Sequence, residues 1–368
     1  MRIRKLIACF LLVFTFCGFF TGCKKELVCT ELGIPSAQRF QDGIRARCVW
    51  DMKLWNGKLY IGGGDYDDNT GPTDIWCYDF PKKEWTNSGS VPDESVLRFV
   101  DLGGTLVAPG IDPEEDWSMG NYYALEGDSW QIYRNIPNSI HNFDMIKFGE
   151  RIFAGNGVED GNSPISYSDD GGQTFFPLEI YKDGALFDTT GLGVIRTYEF
   201  FVLKGTLYAI IRYGVNKASY DVFKYENGVM NYYTDLTEKI EFNSITMNMF
   251  GAKVEFKNKI YFTTGYLYSS SDAISYEKIP VLEDSVVSDI LVDDKTMYLL
   301  CTKEKGNFTY TLAIYKTTDG KDFKEVLTYD YSTLAMCFEK SGDTYYVGMG
   351  YPARTIETNG AVLEFTFK

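Results

Sequence analysis

Five charged residues, Asp51, Arg98, Asp144, Glu199 and Asp289, interrupt otherwise apolar stretches. Each stands eight residues ahead of a Leu, Ile or Met that opens a short apolar run. The same offset finds Ala252 and Cys337. Residues at one offset in successive repeats hold equivalent places in a fold, so these positions are candidates to converge. A charged ring around water is tolerable where scattered burial of the same charges is not. Such a ring suits a polar ligand or ion held by Arg98 and the acids. Two of its carboxylates, Asp51 with Glu199 or Asp289, have the chemistry for acid/base cleavage of a glycosidic bond. The plain alternative is a solvated lining with no ligand.

Other residues carry weaker signals. Asp65, Asp67 and Asn69 have the D-x-D-x-N spacing of a calcium loop, whose alternate oxygens converge on one hard cation. The Gly falls one place late (Gly71), and Trp76 stands where the bidentate acid belongs. Calcium is therefore the one cofactor considered, and none is otherwise expected. His141 is the single histidine, which removes most metal chemistry and the histidine-based nucleophile machineries unless His141 itself is the base. Trp117 lies in an acidic stretch, Asp112 to Asp116, and an aromatic among carboxylates suits stacking on a sugar. Asp51, Arg98, Asp144, Glu199, Asp289, Trp117 and His141 are the ligand-binding candidates.

The elements that must position these residues repeat. Leu54 to Trp85 reads as an Asn56-Gly57 turn, a strand, an acidic loop, a second strand, a Pro-Lys turn and a closing Trp. The second-strand pattern returns at Leu106, Ile152, Leu207, Ile260, Met297 and Tyr345. The closing aromatic returns at Trp130, Phe175, Tyr232, Tyr276 and Phe323. Two markers with one period predict repeated four-stranded sheets. Seven second strands meet only six closing aromatics. The chain ends on a strand-like run, Ala361–Phe367, and another such run, Glu26–Glu31, precedes the first unit. The fold expected is all-β: a seven-bladed β-propeller of four-stranded antiparallel blades over 26–368, its last blade closed by the N-terminal strand. The stretches after Phe175 and Tyr232 are expected to be long loops.

Ser168-Asp169-Asp170-Gly171-Gly172-Gln173-Thr174-Phe175 matches the Asp-box pattern S-x-D-x-G-x-T-F, with shorter copies at Thr317–Phe323 and Ser270–Tyr276. Gly62-Gly63, Tyr78 and Trp85 of the first unit resemble a kelch blade. The chain thus resembles kelch-like and sialidase-like propellers. The resemblance implies the fold. It does not carry the chemistry of sialidases, whose Arg-Ile-Pro is met only by Arg134-Asn135-Ile136-Pro137, nor that of kelch-type copper oxidases, which need two histidines.

Residues 1–22 have a basic start and an apolar run from Leu6 to Phe20, short for a membrane span and suited to a signal peptide. Phe20-Thr21-Gly22-Cys23 resembles the bacterial lipobox. That implies lipidation of Cys23, with 23–25 as tether, and attachment to the cell envelope, by resemblance at the outer membrane. The net charge of −15 opposes nucleic-acid binding. Five cysteines follow Cys23, an odd set that cannot all pair within one chain. The function expected is a lipid-anchored, extracytoplasmic, non-catalytic binding protein for a glycan or a protein. The alternatives are a carbohydrate-active hydrolase using channel carboxylates, and a structural subunit of an envelope complex.

Overall fold

The computed structural model describes residues 26–37, 44–65, 71–113, 118–159, 161–214, 217–243, 250–351 and 356–368. The leader, Cys23, Asp67, Asn69 and Trp117 lie outside them. The described chain is all-β but for a short 3-10 helix, Ile44–Arg47. No helix among the described residues is long and apolar enough to cross a membrane.

The building unit is a meander of hairpins. In the first, Asp51–Trp55 and Lys58–Gly62 pair across Asn56-Gly57, both of which have positive φ. Asn-Gly is the dipeptide that adopts this backbone most readily, and its twist matches that of the flanking strands. Thr73–Asp79 and Glu84–Val91 complete a four-stranded sheet. Small antiparallel sheets of this kind follow one another in a propeller arrangement. Hydrophobic clusters form between neighbouring sheets: Tyr60 and Ile75 of the first pack with Leu106 and Tyr123 of the second. Each buried side chain of this size contributes roughly 1.5–3 kcal/mol.

Five sheets stand as separate four-stranded units, where seven were expected. The expected third and fourth units merge in one ten-stranded sheet. It contains two meanders, His141–Phe148 through Phe176–Pro177 and Ile195–Leu203 through Val229–Asp235. Two features join them. The strand Arg151–Val158 runs far enough for Gly157 and Val158 to pair with Arg196 and Ile195. The stretch after Phe175, read as a loop, instead forms a hairpin of Ile180–Lys182 and Ala185–Leu186, whose first strand adds in parallel to Val229–Asp235. Lys182 fixes that hairpin by donating to Asp221 Oδ2 at 2.5 Å and to the Tyr213 hydroxyl at 2.9 Å.

The closing strand is where the sequence placed it. Leu27–Gly33 pairs antiparallel with Val362–Phe367, outermost in the sheet begun by Leu334–Ser341 and Thr344–Gly350. This last sheet packs on the first: Met52, Leu59 and Ile61 share a cluster with Cys337, Tyr346 and Val362. Trp85, the closing aromatic of the first sheet, donates its indole N–H to the Leu32 carbonyl at 2.9 Å. Cys29, Cys77, Cys301 and Cys337 are free thiols.

The three Ser/Thr-x-Asp turns share one geometry. Ser168 Oγ donates to Asp170 at 2.7 Å and accepts the Gly172 N–H at 2.8 Å, while Asp170 accepts the Thr174 N–H at 2.9 Å. Equivalent bonds form at Ser270–Asp272 and Thr317–Asp319. Bonds from Ser168 and the Thr174 backbone hold the Asp170 carboxylate down at about 2. These turns are structural locks on the hairpins.

Candidate functional site

A central cavity of about 680 Å³ is lined by segments 50–53, 97–101, 143–146, 198–199, 250–255, 288–292 and 336–339. Asp51, Arg98, Asp144, Glu199 and Asp289 all line it, so the column read from the eight-residue offset does converge. Ala252 and Cys337 line it too.

What aims these side chains is a backbone irregularity absent from the sequence pattern. The pairing register shifts between Asn142 and Asp144, Thr197 and Glu199, Val287 and Asp289, and Ala335 and Cys337. In each case the extra residue immediately precedes the column position. Such bulges turn a strand locally and redirect its side chains. The extra residues Phe143, Tyr198, Ser288 and Met336 form a second lining column, with Trp50 in the equivalent place of the first sheet.

The acids first satisfy the backbone. An innermost strand has one edge without a strand partner, so its N–H groups need acceptors. Asp51 Oδ2 accepts the Phe99 N–H at 2.6 Å, Asp144 Oδ2 that of Phe200 at 2.7 Å, and Asp289 Oδ2 that of Phe338 at 2.7 Å. Each bond runs from one four-strand meander to the next. The other oxygens of Asp51 and Asp289 accept the Met52 and Ile290 N–H groups.

Beyond this the ring divides into two unlike halves. On one side Arg98 meets Asp144 at 3.0 Å and donates to Glu199 at 3.0 Å through the same nitrogen, and Lys253 pairs with both acids. Two cations face two anions. Burial opposes the charge on Arg98, but Glu199 and Asp144 overcome it and raise its pKa. Burial would raise Asp144, and Lys253 with Arg98 outweigh that and lower it. Lys253 follows the uncharged Ala252 and so stands one place off the charged column.

The other side holds Asp51, Asp289 and Glu339 against one amine, Lys53, which meets Glu339 at 2.8 Å. Burial pushes the Asp51 carboxyl up to about 6. Burial and the neighbouring Asp51 push Asp289 well above the ordinary range. Burial also raises Glu339. This half is acidic and only partly neutralised.

The remaining candidates fall elsewhere. His141 borders a separate hollow beside the channel. Asp65 is buried, its N–H donating to the Glu94 carbonyl at 3.0 Å, while its expected calcium partners lie outside the described residues. Among the described residues no three His, Cys, Asp or Glu side chains are grouped to hold a metal.

No protein-family model matches the chain. Kelch-like protein 41b of Danio rerio is 20% identical over 101 residues, which make up 27% of this chain and only 17% of that protein. Virginiamycin B lyase from Staphylococcus aureus superposes with a TM-score of 0.50 at 12% identity, covering 93% of this chain and 99% of that one. A chain of the mitotic checkpoint complex gives 0.51 at 9% identity, covering 100% and 99%. At such identities the shared property is the fold. The chain is an all-β propeller with a short, weakly kelch-like stretch.

Proposed function

We propose that the chain is a lipid-anchored, extracytoplasmic β-propeller that binds a ligand in its central cavity without transforming it, a glycan in the first place and a protein segment in the second. The observation that carries this reading is the unequal ring. The Arg98–Asp144–Glu199–Lys253 half is closed on itself, while Asp51, Asp289 and Glu339 outnumber Lys53. The incompletely neutralised carboxyls share one cavity with the aromatic side chains of Trp50, Phe143 and Tyr198, a combination that matches the hydroxyls and apolar ring faces of a sugar. Counting the two meanders of the ten-stranded sheet as blades gives a seven-bladed ring, supported by the seven segments that line the cavity. The kelch-like and Asp-box resemblances fit that count.

The test is titration of the full chain in detergent against an oligosaccharide array. Saturable binding that weakens about tenfold or more in Asp289→Asn supports the reading. A blank array with one stoichiometric partner recovered from membranes supports an envelope-complex subunit instead. For the anchor, Cys23→Ser releases the protein from the membrane fraction; retention in the membrane overturns lipidation.

A hydrolase is the second reading, and the Asp51 carboxyl, pushed up to about 6, favours it as a proton donor. Its oxygens already hold the Met52 and Phe99 N–H groups, a pattern shared by Asp289 with Ile290 and Phe338, so either acid meets a ligand only through its remaining lone pairs. Turnover of chromogenic glycosides that vanishes in Asp51→Asn and Glu199→Gln supports this second reading against the first.

A further inference from the structure

The junction that merges the two meanders sets four residues in one row. His141 lies opposite Gly157, Gly157 opposite Arg196, and Arg196 opposite Arg212, on four neighbouring strands. Directly opposed residues of an antiparallel ladder point to the same face of the sheet. His141, Arg196 and Arg212 therefore share a face. Gly157 between them has no side chain, and a Cβ there would stand 2.8 Å from His141 Cδ2 and 3.0 Å from Phe143 Cε2. Two like charges directly opposed destabilise a sheet. In a chain of net charge −15 this pair persists with no acid in ion-pair contact with either arginine among the described residues, and only the Asp112 carboxylate, at longer range, is favoured by the charge of Arg196.

The hollow beside the row, about 460 Å³, is walled by Ile140, Val158, Val194 and Ile195, with His141 and Arg196 as its polar groups and Glu159 at its exposed rim. Each polar group keeps one nitrogen without a partner. Arg196 Nε and His141 Nδ1 are buried without a hydrogen-bond partner. Arg196 uses one nitrogen, donating to the Tyr198 hydroxyl at 3.2 Å, and lays its guanidinium over the Phe143 ring at 5.4 Å. Among the described residues Asp112 is the acid that approaches the imidazole, at 3.8 Å, beyond hydrogen-bond length. Burial and the positive charge of Arg196 keep His141 neutral, with its pKa down at about 3. A neutral imidazole can donate one N–H, and a guanidinium can donate a parallel pair.

We propose that the His141–Gly157–Arg196–Arg212 row is a binding site for the carboxylate of a small molecule whose remaining body is apolar and lies against Ile140, Val158 and Val194. Arg196 supplies the charge and paired donors, His141 one further hydrogen bond, and Arg212 a second positive charge. The site stands apart from the channel, and its ligand differs in class from the glycan proposed there.

The test compares phenylacetate, phenylacetamide and phenyl phosphate by titration of the full chain in detergent, followed by ligand-observed NMR. The result expected is saturable binding of phenylacetate, with the amide weaker by about tenfold or more, because it brings no charge to the guanidinium. Arg196→Gln weakens phenylacetate by a similar factor, and Arg196→Lys restores part of the loss through charge alone. The wild-type comparison of acid with amide holds even if a variant misfolds. Equal binding of acid and amide, tighter binding of phenyl phosphate than of phenylacetate, or no saturation up to about 10 mM overturns the proposal.

Discussion

Asp289 Oδ2 accepts the Phe338 N–H at 2.7 Å, so a side chain of one innermost strand completes the backbone of the next sheet's innermost strand. Asp289→Ala leaves that N–H without its acceptor and is expected to cost about 1–3 kcal/mol. Asp289→Asn keeps a carbonyl oxygen to accept that N–H, so its loss is smaller. Urea unfolding of the two variants measures the difference. Equal losses would mean that the bond to Phe338 contributes little.

Arg98 is the hub of the closed half of the ring. Arg98→Met leaves Asp144 and Glu199 with Lys253 alone, and breaking a buried pair by removing one partner costs about 3–5 kcal/mol. Adding Glu199→Gln removes one of the stranded anions and recovers part of that loss. A double-mutant cycle by chemical denaturation reads the coupling; strictly additive losses would sink the idea of a quartet.

Two buried groups give the stability opposite dependences on pH. Asp51 has a folded pKa of about 6, above its unfolded value. Its stabilising contribution is full below about pH 4 and is lost as the pH rises through 6. His141 is depressed to about 3. Its contribution is full above about pH 6.5 and is lost as the pH falls towards 3. The melting temperature of Asp51→Asn relative to wild type is therefore lower at about pH 4.5 than at about pH 7. That of His141→Gln shifts the other way. Parallel curves for all three proteins would show that neither group is perturbed as described.

Removing residues 1–33 takes away the strand paired with Val362–Phe367 and exposes an apolar edge. The expected outcome is a lower melting temperature and concentration-dependent association, followed by light scattering. Removing residues 1–25 alone leaves the strand in place and should leave both unchanged.

Much of this architecture was legible in the sequence because it recurs. Leu59, Leu106 and Ile152 keep a period, and the residues eight places before them meet in the cavity. The strand at Leu27 could be placed by counting, since the last sheet lacked a member. What escaped depends on single events. The hairpin at Ile180–Lys182 is too short to carry a period, and its parallel pairing depends on a strand some fifty residues later. Lys253, Lys53 and Glu339 sit one or two places off the charged column, on strands whose neighbours are uncharged or already counted. The bulges at Phe143, Tyr198, Ser288 and Met336 leave the eight-residue spacing intact, so the extra lining column gave no signal. His141 stood out by being alone, but its row with Arg196 and Arg212 exists only because two meanders join.

The pairing of Leu27–Gly33 with Val362–Phe367 also has a mechanical meaning. Any pull transmitted through residues 1–25 enters the fold at Glu26, whose N–H and carbonyl bond to Lys368. The load falls first on the hydrogen bonds that clasp the two ends of the chain together, and through Trp85 on the first sheet. Under the anchoring proposed at Cys23, a tether would load the ring at its own fastening. The force at which that clasp yields sets how hard the head can be dragged before the cavity loses its shape.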